Sequence, residues 1–100
     1  MSGEDEHLYI VTYDIANDRR WRRVFKLMHG YGEWLQLSVF QCRLTRRRHV
    51  ELTSRLGSTI DTGEDHVLII DLGVADQMRP RVSSLGKRAF AAVERAPVIV

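Results

Sequence analysis

An α+β fold, with two helices on one face of an antiparallel sheet, is predicted for this 100-residue sequence by three observations. The apolar pattern changes period in the order strand, helix, two strands, helix, strand. Capping and turn residues fall at the boundaries between those segments. The length, without internal repeats, low-complexity segments or linkers, makes one domain over residues 1–100. The order is that of the split βαβ, or ferredoxin-like (βαββαβ), arrangement.

The elements follow in order. Residues 1–7, polar and acidic, are expected to be a disordered lead-in and not a signal peptide. From Leu8 to Asp14 the residues Leu8, Ile10 and Thr12 alternate with Tyr9, Val11 and Tyr13. Apolar groups on both sides predict a central strand with both faces largely covered. Asn17 or Asp18 caps a helix. Along it Trp21, Val24, Phe25, Met28 and Tyr31 form one apolar stripe, and Gly30 or Gly32 ends it. Trp21 and Phe25 are assigned to the core, not to nucleotide stacking. Glu33–Leu44 is too long for one strand and is expected to break near Gln36–Ser38. Leu35, Leu37, Val39 and Gln41 would then face one way, and Trp34, Gln36, Ser38, Phe40 and Cys42 the other. Thr45 opens a second helix, which Gly57 is expected to end. Residues 58–65 are a polar connection with a turn at 62–64. His66–Gly73 reads as another buried strand, and residues 76–81, with Pro80, as a loop. The apolar end, Pro97, Val98, Ile99 and Val100, would be a sticky edge if left unpaired. Residues 90–100 are therefore expected to form a dimerisation segment that pairs with a second copy.

Composition narrows the function. No apolar run approaches the ~20 residues of a membrane span. One cysteine, Cys42, excludes an internal disulfide and a cysteine-rich zinc site, and fits the cytoplasm. Net charge is +2, but residues 19–55 carry +8 and the remainder −6. The runs Arg19, Arg20, Arg22, Arg23, Lys26 and Arg46, Arg47, Arg48 stand at helix starts, where the helix dipole disfavours cations. That placement points to phosphate binding on a polyanion. The competing reading is two solvated helix faces.

Asp14 is the leading candidate for chemistry. It sits where a hydrophobic strand leaves the core, five residues before a basic helix, as a site for a metal ion and a phosphate requires. Its competing role is a helix cap or turn. One carboxylate is too few to hold Mg2+, and a two-fold dimer would supply a second Asp14. Asp71 is assigned a structural role at the open face or edge of the sheet. His7, His29, His49 and His66 lack ligand spacing and are read as surface residues. There is no Gly-rich phosphate loop, HExxH or Gly-x-Ser-x-Gly. Metal-activated water attacking a phosphodiester is the hydrolytic mechanism these residues support. The sheet-aromatic signature of many ferredoxin-like RNA binders is absent, and arginines on helices suit backbone contacts.

YIVTYDI, NDRRWRRVFKLMHGYG, WLQLSVFQCRL and DHVLIIDLG, in this order, resemble the Cas-two family of small CRISPR-associated adaptation proteins. The resemblance covers roughly residues 8–73. It rests on Tyr13–Asp14 at the strand end, the basic helix closing on Tyr31–Gly32, and Gln36 followed by Ser38–Val39–Phe40. It implies a homodimer whose C-terminal strands exchange, with Asp14 of both subunits holding Mg2+ in a nuclease acting on RNA or DNA. It also implies a partnership with the CRISPR integrase in spacer acquisition, in which Arg19, Arg20 and Arg23 grip duplex DNA. A non-catalytic bridge between integrase dimers is the alternative. Gln41 stands where relatives commonly carry glutamate, which weakens the nuclease expectation more than the bridging one.

Overall fold

The computed structural model describes residues 5–86. Its elements are β1 (His7–Asp14), α1 (Asp18–His29), β2 (Glu33–Gln36), β3 (Val39–Leu44), α2 (Arg46–Thr59) and β4 (His66–Val74), followed by a 3-10 turn over Ala75–Gln77. The strands make one antiparallel sheet in the order β2-β3-β1-β4, the ferredoxin-like order. The expected dimerisation segment, including Pro97, Val98, Ile99 and Val100, lies outside the described residues.

Local chemistry explains the boundaries. Asn17 caps α1, its Oδ1 accepting from the Arg20 amide at 2.9 Å. Thr45 does the same for α2 through the Arg48 amide at 3.2 Å. Gly30 closes α1. The hairpin between β2 and β3 turns at Leu37–Ser38, inside the predicted break. Leu37 takes a left-handed φ of +39°, so the predicted alternation does not run through the turn, and Gln36 pairs with Val39. Gly57 does not end α2, which runs to Thr59. Ser58 and Thr59 return hydrogen bonds to the carbonyls of Ser54 and Arg55, supporting the last turn.

Register sorts the side chains onto two faces. Tyr9, Val11 and Tyr13 share one face with Cys42 and Phe40 of β3 and with Val67 and Ile69 of β4. Both helices cover this face, and Val11, Val24, Met28, Phe40, Cys42 and Leu52 are wholly buried there. Trp21 and Phe25 stack at 4.9 Å against this core, as predicted. On the opposite face Ile10 and Thr12 stand beside Ile70 and Leu68. Leu68 and Ile70 remain 47% and 45% exposed. The expectation that β1 and β4 are covered on both sides is therefore corrected. Two helices can cover only one face, yet the sequence places apolar residues on both.

The lead-in is also corrected at its end. The strand begins at His7, and Glu6 is fastened by the Arg43 guanidinium at 2.7 Å and the Ala75 amide at 2.8 Å. Asp71 has the structural role assigned to it. It lies in the edge strand β4, at the bulge opposite Leu8–Tyr9, where it accepts from His7 Nδ1 and from the Gly73 amide, both at 2.9 Å.

After α1, the chain must pass closely over β3. A Cβ at Gly32 would collide with Cys42 Sγ and stand 2.6 Å from the Gln41 carbonyl oxygen. Gly32→Ala is accordingly expected to cost about 1–3 kcal/mol, lowering the melting temperature by roughly 10 °C. Thermal unfolding followed by circular dichroism checks this, and an unchanged midpoint would contradict the close approach.

Candidate nucleic-acid interface and acidic tip

Asp14 is the last residue of β1 and is exposed. By strand alternation it points to the face carrying Ile10 and Thr12, away from the helices. Its cross-strand partner is His66, the first residue of β4. Among the described residues Asp14 makes no side-chain hydrogen bond or ion pair, and Asn17, not Asp14, caps α1. The carboxylate is therefore free for a cation.

A single chain nevertheless does not fit Mg2+. Among the described residues there is no group of three or more His, Cys, Asp or Glu side chains able to hold a metal. Gln41 faces the same side as Asp14 but pairs with Ile10, about 13 Å along the strand. A glutamate at that position would not reach the same ion within one chain. The residues present fit a divalent ion only if a second Asp14 completes the set.

Tyr13, the neighbour of Asp14, faces the other way. Its ring packs against Phe40 and Trp21. Its hydroxyl is buried without hydrogen-bonding geometry to Ser38 or any other group, and burial pushes its pKa up. Ser38 is engaged by Trp21, whose Nε1 donates to its hydroxyl at 2.9 Å. Cys42 is a buried thiol, its pKa pushed up to about 12 mainly by burial, and is not a nucleophile.

The predicted basic residues divide by environment. Arg19, Arg22, Arg23, Lys26, Arg46 and Arg47 are exposed and have no ion-pair partner among the described residues. Arg20 is engaged. Its Nε donates to Asp65 Oδ2 at 2.8 Å and its Nη2 to Glu64 Oε1 at 3.0 Å. Asp65 also accepts from the Ala16 and Asp61 amides at 2.9 and 2.8 Å. The Asp65 side chain is fully buried. Arg20, foremost among the hydrogen bonds it receives, holds its pKa down to about 2. This clasp ties the start of α1 to the start of β4, on either side of Asp14. Sequence reasoning missed Asp65, although its place one residue before a strand was a hint.

Arg48 is engaged as well. Its Nη2 donates to the Gly30 carbonyl at 2.9 Å, and its guanidinium lies 4.4 Å from the Tyr31 ring centroid. A cation at the start of α2 is disfavoured by that helix, but here it reaches the carbonyl end of α1, where a cation is favoured. Arg55, absent from the predicted set, donates to the Tyr31 hydroxyl at 3.2 Å.

Fold and charge together define a small ferredoxin-like protein with cationic helices on one side and a free acidic tip facing the other. The family model described as "CRISPR associated protein Cas2" matches residues 7–79. The CRISPR-associated endoribonuclease Cas2 of Geobacter sulfurreducens is 58% identical over 95 residues, covering 95% of this chain and 99% of that protein. The CRISPR-associated endoribonuclease Cas2 1 of Rhodospirillum rubrum is 55% identical, covering 95% and 92%. Among solved structures, Streptococcus pyogenes Cas2 at pH 6.5 is 34% identical with a TM-score of 0.69, covering 79% of this chain and 99% of that one. The chain belongs to the CRISPR-associated Cas2 family. No helix among the described residues is long and apolar enough to cross a membrane.

Proposed function

We propose that the protein acts in CRISPR spacer acquisition as a homodimer that cleaves RNA or DNA phosphodiesters with Mg2+ and works with the CRISPR integrase. The observation that carries this reading is the orientation of Asp14. It makes no side-chain hydrogen bond or ion pair among the described residues, is exposed, and lies on the apolar sheet face that the described helices leave bare. Packing that face against a second copy buries Leu68 and Ile70 and brings two strand ends toward one seam. Exchange of the C-terminal strands would continue the same interface.

Mg2+, when bound, supplies Lewis acidity toward a phosphodiester and an activated water. Asp14 of each chain would hold the ion. Asp65 and Arg20 fix the loop beside the tip. Arg19, Arg22, Arg46 and Arg47 attract the polyanion to the protein without reading sequence.

A second reading, a non-catalytic bridge that grips duplex DNA between integrase dimers, is favoured by the lack, among the described residues, of any group of three or more side chains able to hold a metal. Cleavage assays on RNA and duplex DNA, with and without chelator, in wild type and Asp14→Asn, separate the two. Chelator-sensitive cutting that the substitution abolishes supports the nuclease. Absent cutting with tight duplex binding supports the bridge. The substitution Arg20→Ala is unsuitable as a binding probe, because it opens the Asp65 clasp. Arg19 and Arg22 are cleaner targets.

A further inference from the structure

The cations of α1 do not form one surface. Arg19 and Arg22 line a hollow at the helix start with Ala16, Asn17 and Asp18. Arg23 and Lys26 turn elsewhere, onto a groove of about 740 Å3 between α1 and α2. The facing wall carries Arg48 and Arg55, with Glu51 the one acidic residue lining the groove, so its net charge is +3.

Tyr31 forms the base of this groove and organises it. The residue is buried, Arg48 lies over its ring and Arg55 is anchored on its hydroxyl. Arg48, which donates to the Gly30 carbonyl and has its Nε 3.9 Å from Glu51, and Arg55 are thus positioned before any ligand arrives, which lowers the ordering cost of binding through their remaining N–H groups. Fixed guanidinium forks suit phosphate oxygens. Opposite them Arg23 and Lys26 have no partners among the described residues and remain free to close on a ligand.

Dimensions select the ligand. From Arg23 to Gly30 the helix rises about 10 Å, long enough to face more than one phosphate of a strand. The groove is concave, so a flexible single strand can follow it, whereas a stiff duplex, with a persistence length of about 50 nm, meets only its rim. With Arg48 over Tyr31, no aromatic face is left there for a base to stack on, so recognition is of phosphates alone.

We propose that the groove between α1 and α2 binds a single nucleic-acid strand by its phosphodiester backbone, through Arg23, Lys26, Arg48 and Arg55 positioned on Tyr31, as a holding site separate from Asp14. The helix layer and the Asp14 face lie on opposite sides of the sheet, so a strand held here is not the one presented to the Asp14 of the same chain. The inference rests on the nucleic-acid reading above and assigns it a second surface.

The test is fluorescence anisotropy on the full chain with a labelled oligothymidylate and a labelled duplex, each over a range of salt. Arg23→Ala with Lys26→Ala is expected to weaken oligothymidylate binding about tenfold at low salt. It should also flatten the slope of log K against log salt by about 1.4. Both residues are exposed on a helix, and alanine keeps the helix. Arg19→Ala with Arg22→Ala should weaken duplex binding more than single-strand binding. Tyr31→Phe retains the ring under Arg48 but frees Arg55, and should weaken oligothymidylate binding about threefold. Unchanged single-strand affinity in Arg23→Ala/Lys26→Ala would overturn the proposal. So would polyglutamate displacing the oligonucleotide as well as unlabelled oligothymidylate does. Wild type that binds oligothymidylate but not duplex would count against duplex gripping and for this site.

Discussion

Asp14→Asn should reduce Mg2+-dependent cleavage at least about a hundredfold while leaving the protein folded. The expectation follows from what Asp14 does not do. It is exposed at a strand end, makes no hydrogen bond or ion pair among the described residues, and does not cap α1. A surface substitution of that kind changes stability little, so the melting temperature should stay within about 3 °C. Asparagine keeps the size and one carbonyl oxygen but removes the charge that a hard divalent ion requires. Duplex binding should be unchanged or slightly tighter, because a negative charge has been removed near a polyanion. Cleavage assays, mobility shifts and thermal unfolding on one preparation check all three. Retained cleavage would remove Asp14 from the chemistry, and a large fall in melting temperature would show that it is a structural turn residue.

Asp65→Asn should have the opposite profile, a large loss of stability. Asp65 accepts from two backbone amides and from two nitrogens of Arg20, all within 3.3 Å, with its side chain fully buried. An asparagine can offer only one carbonyl oxygen, and its NH2 would face N–H donors while Arg20 keeps only its exposed pairing with Glu64. We expect a fall in melting temperature of roughly 10 °C at neutral pH.

The pH dependence follows from linkage. The folded-state pKa of Asp65 is held down to about 2, below its unfolded value. The folded state therefore favours the ionised form. Its contribution is fully present above about pH 4 and is lost as pH falls through 2. Wild type and Asp65→Asn should differ most at pH 7, and their melting temperatures should converge near pH 2. A gap constant with pH would mean that the loss comes from geometry and not from charge.

The two residues also mark where the sequence is legible. Period-two and period-3.6 apolar patterns, Asn17 and Thr45 as caps, and the break at Leu37–Ser38 are local signals, and each places an element where the structure has it. Gly57 misleads because a glycine within a helix only lowers its propensity, and here the last turn continues to Thr59 with Ser58 and Thr59 bonded back to the preceding turn. The pairing of Arg20 with Asp65 spans 45 residues and has no periodic signature. Arg48 likewise reads as a misplaced cation until α1 is seen to end beneath it. The exposed apolar face is the instructive case. Alternating apolar residues in β1 and β4 suggested two covered faces, but the two helices cover one, and Leu68 and Ile70 of the other stay about half exposed. The position of His66 opposite Asp14 could be recognised only from the strand register.

The proposed dimer requires Asp14 to meet its copy across that exposed face. The direct measurement is a pulsed dipolar distance between nitroxide labels on Asp14→Cys. Cys42, buried with its thiol pKa pushed up to about 12, should stay unlabelled. Mating of the sheet faces predicts a single, short inter-label distance that disappears on dilution with unlabelled protein. The absence of dipolar coupling, or a long distance placing the tips at opposite ends of the assembly, would contradict it.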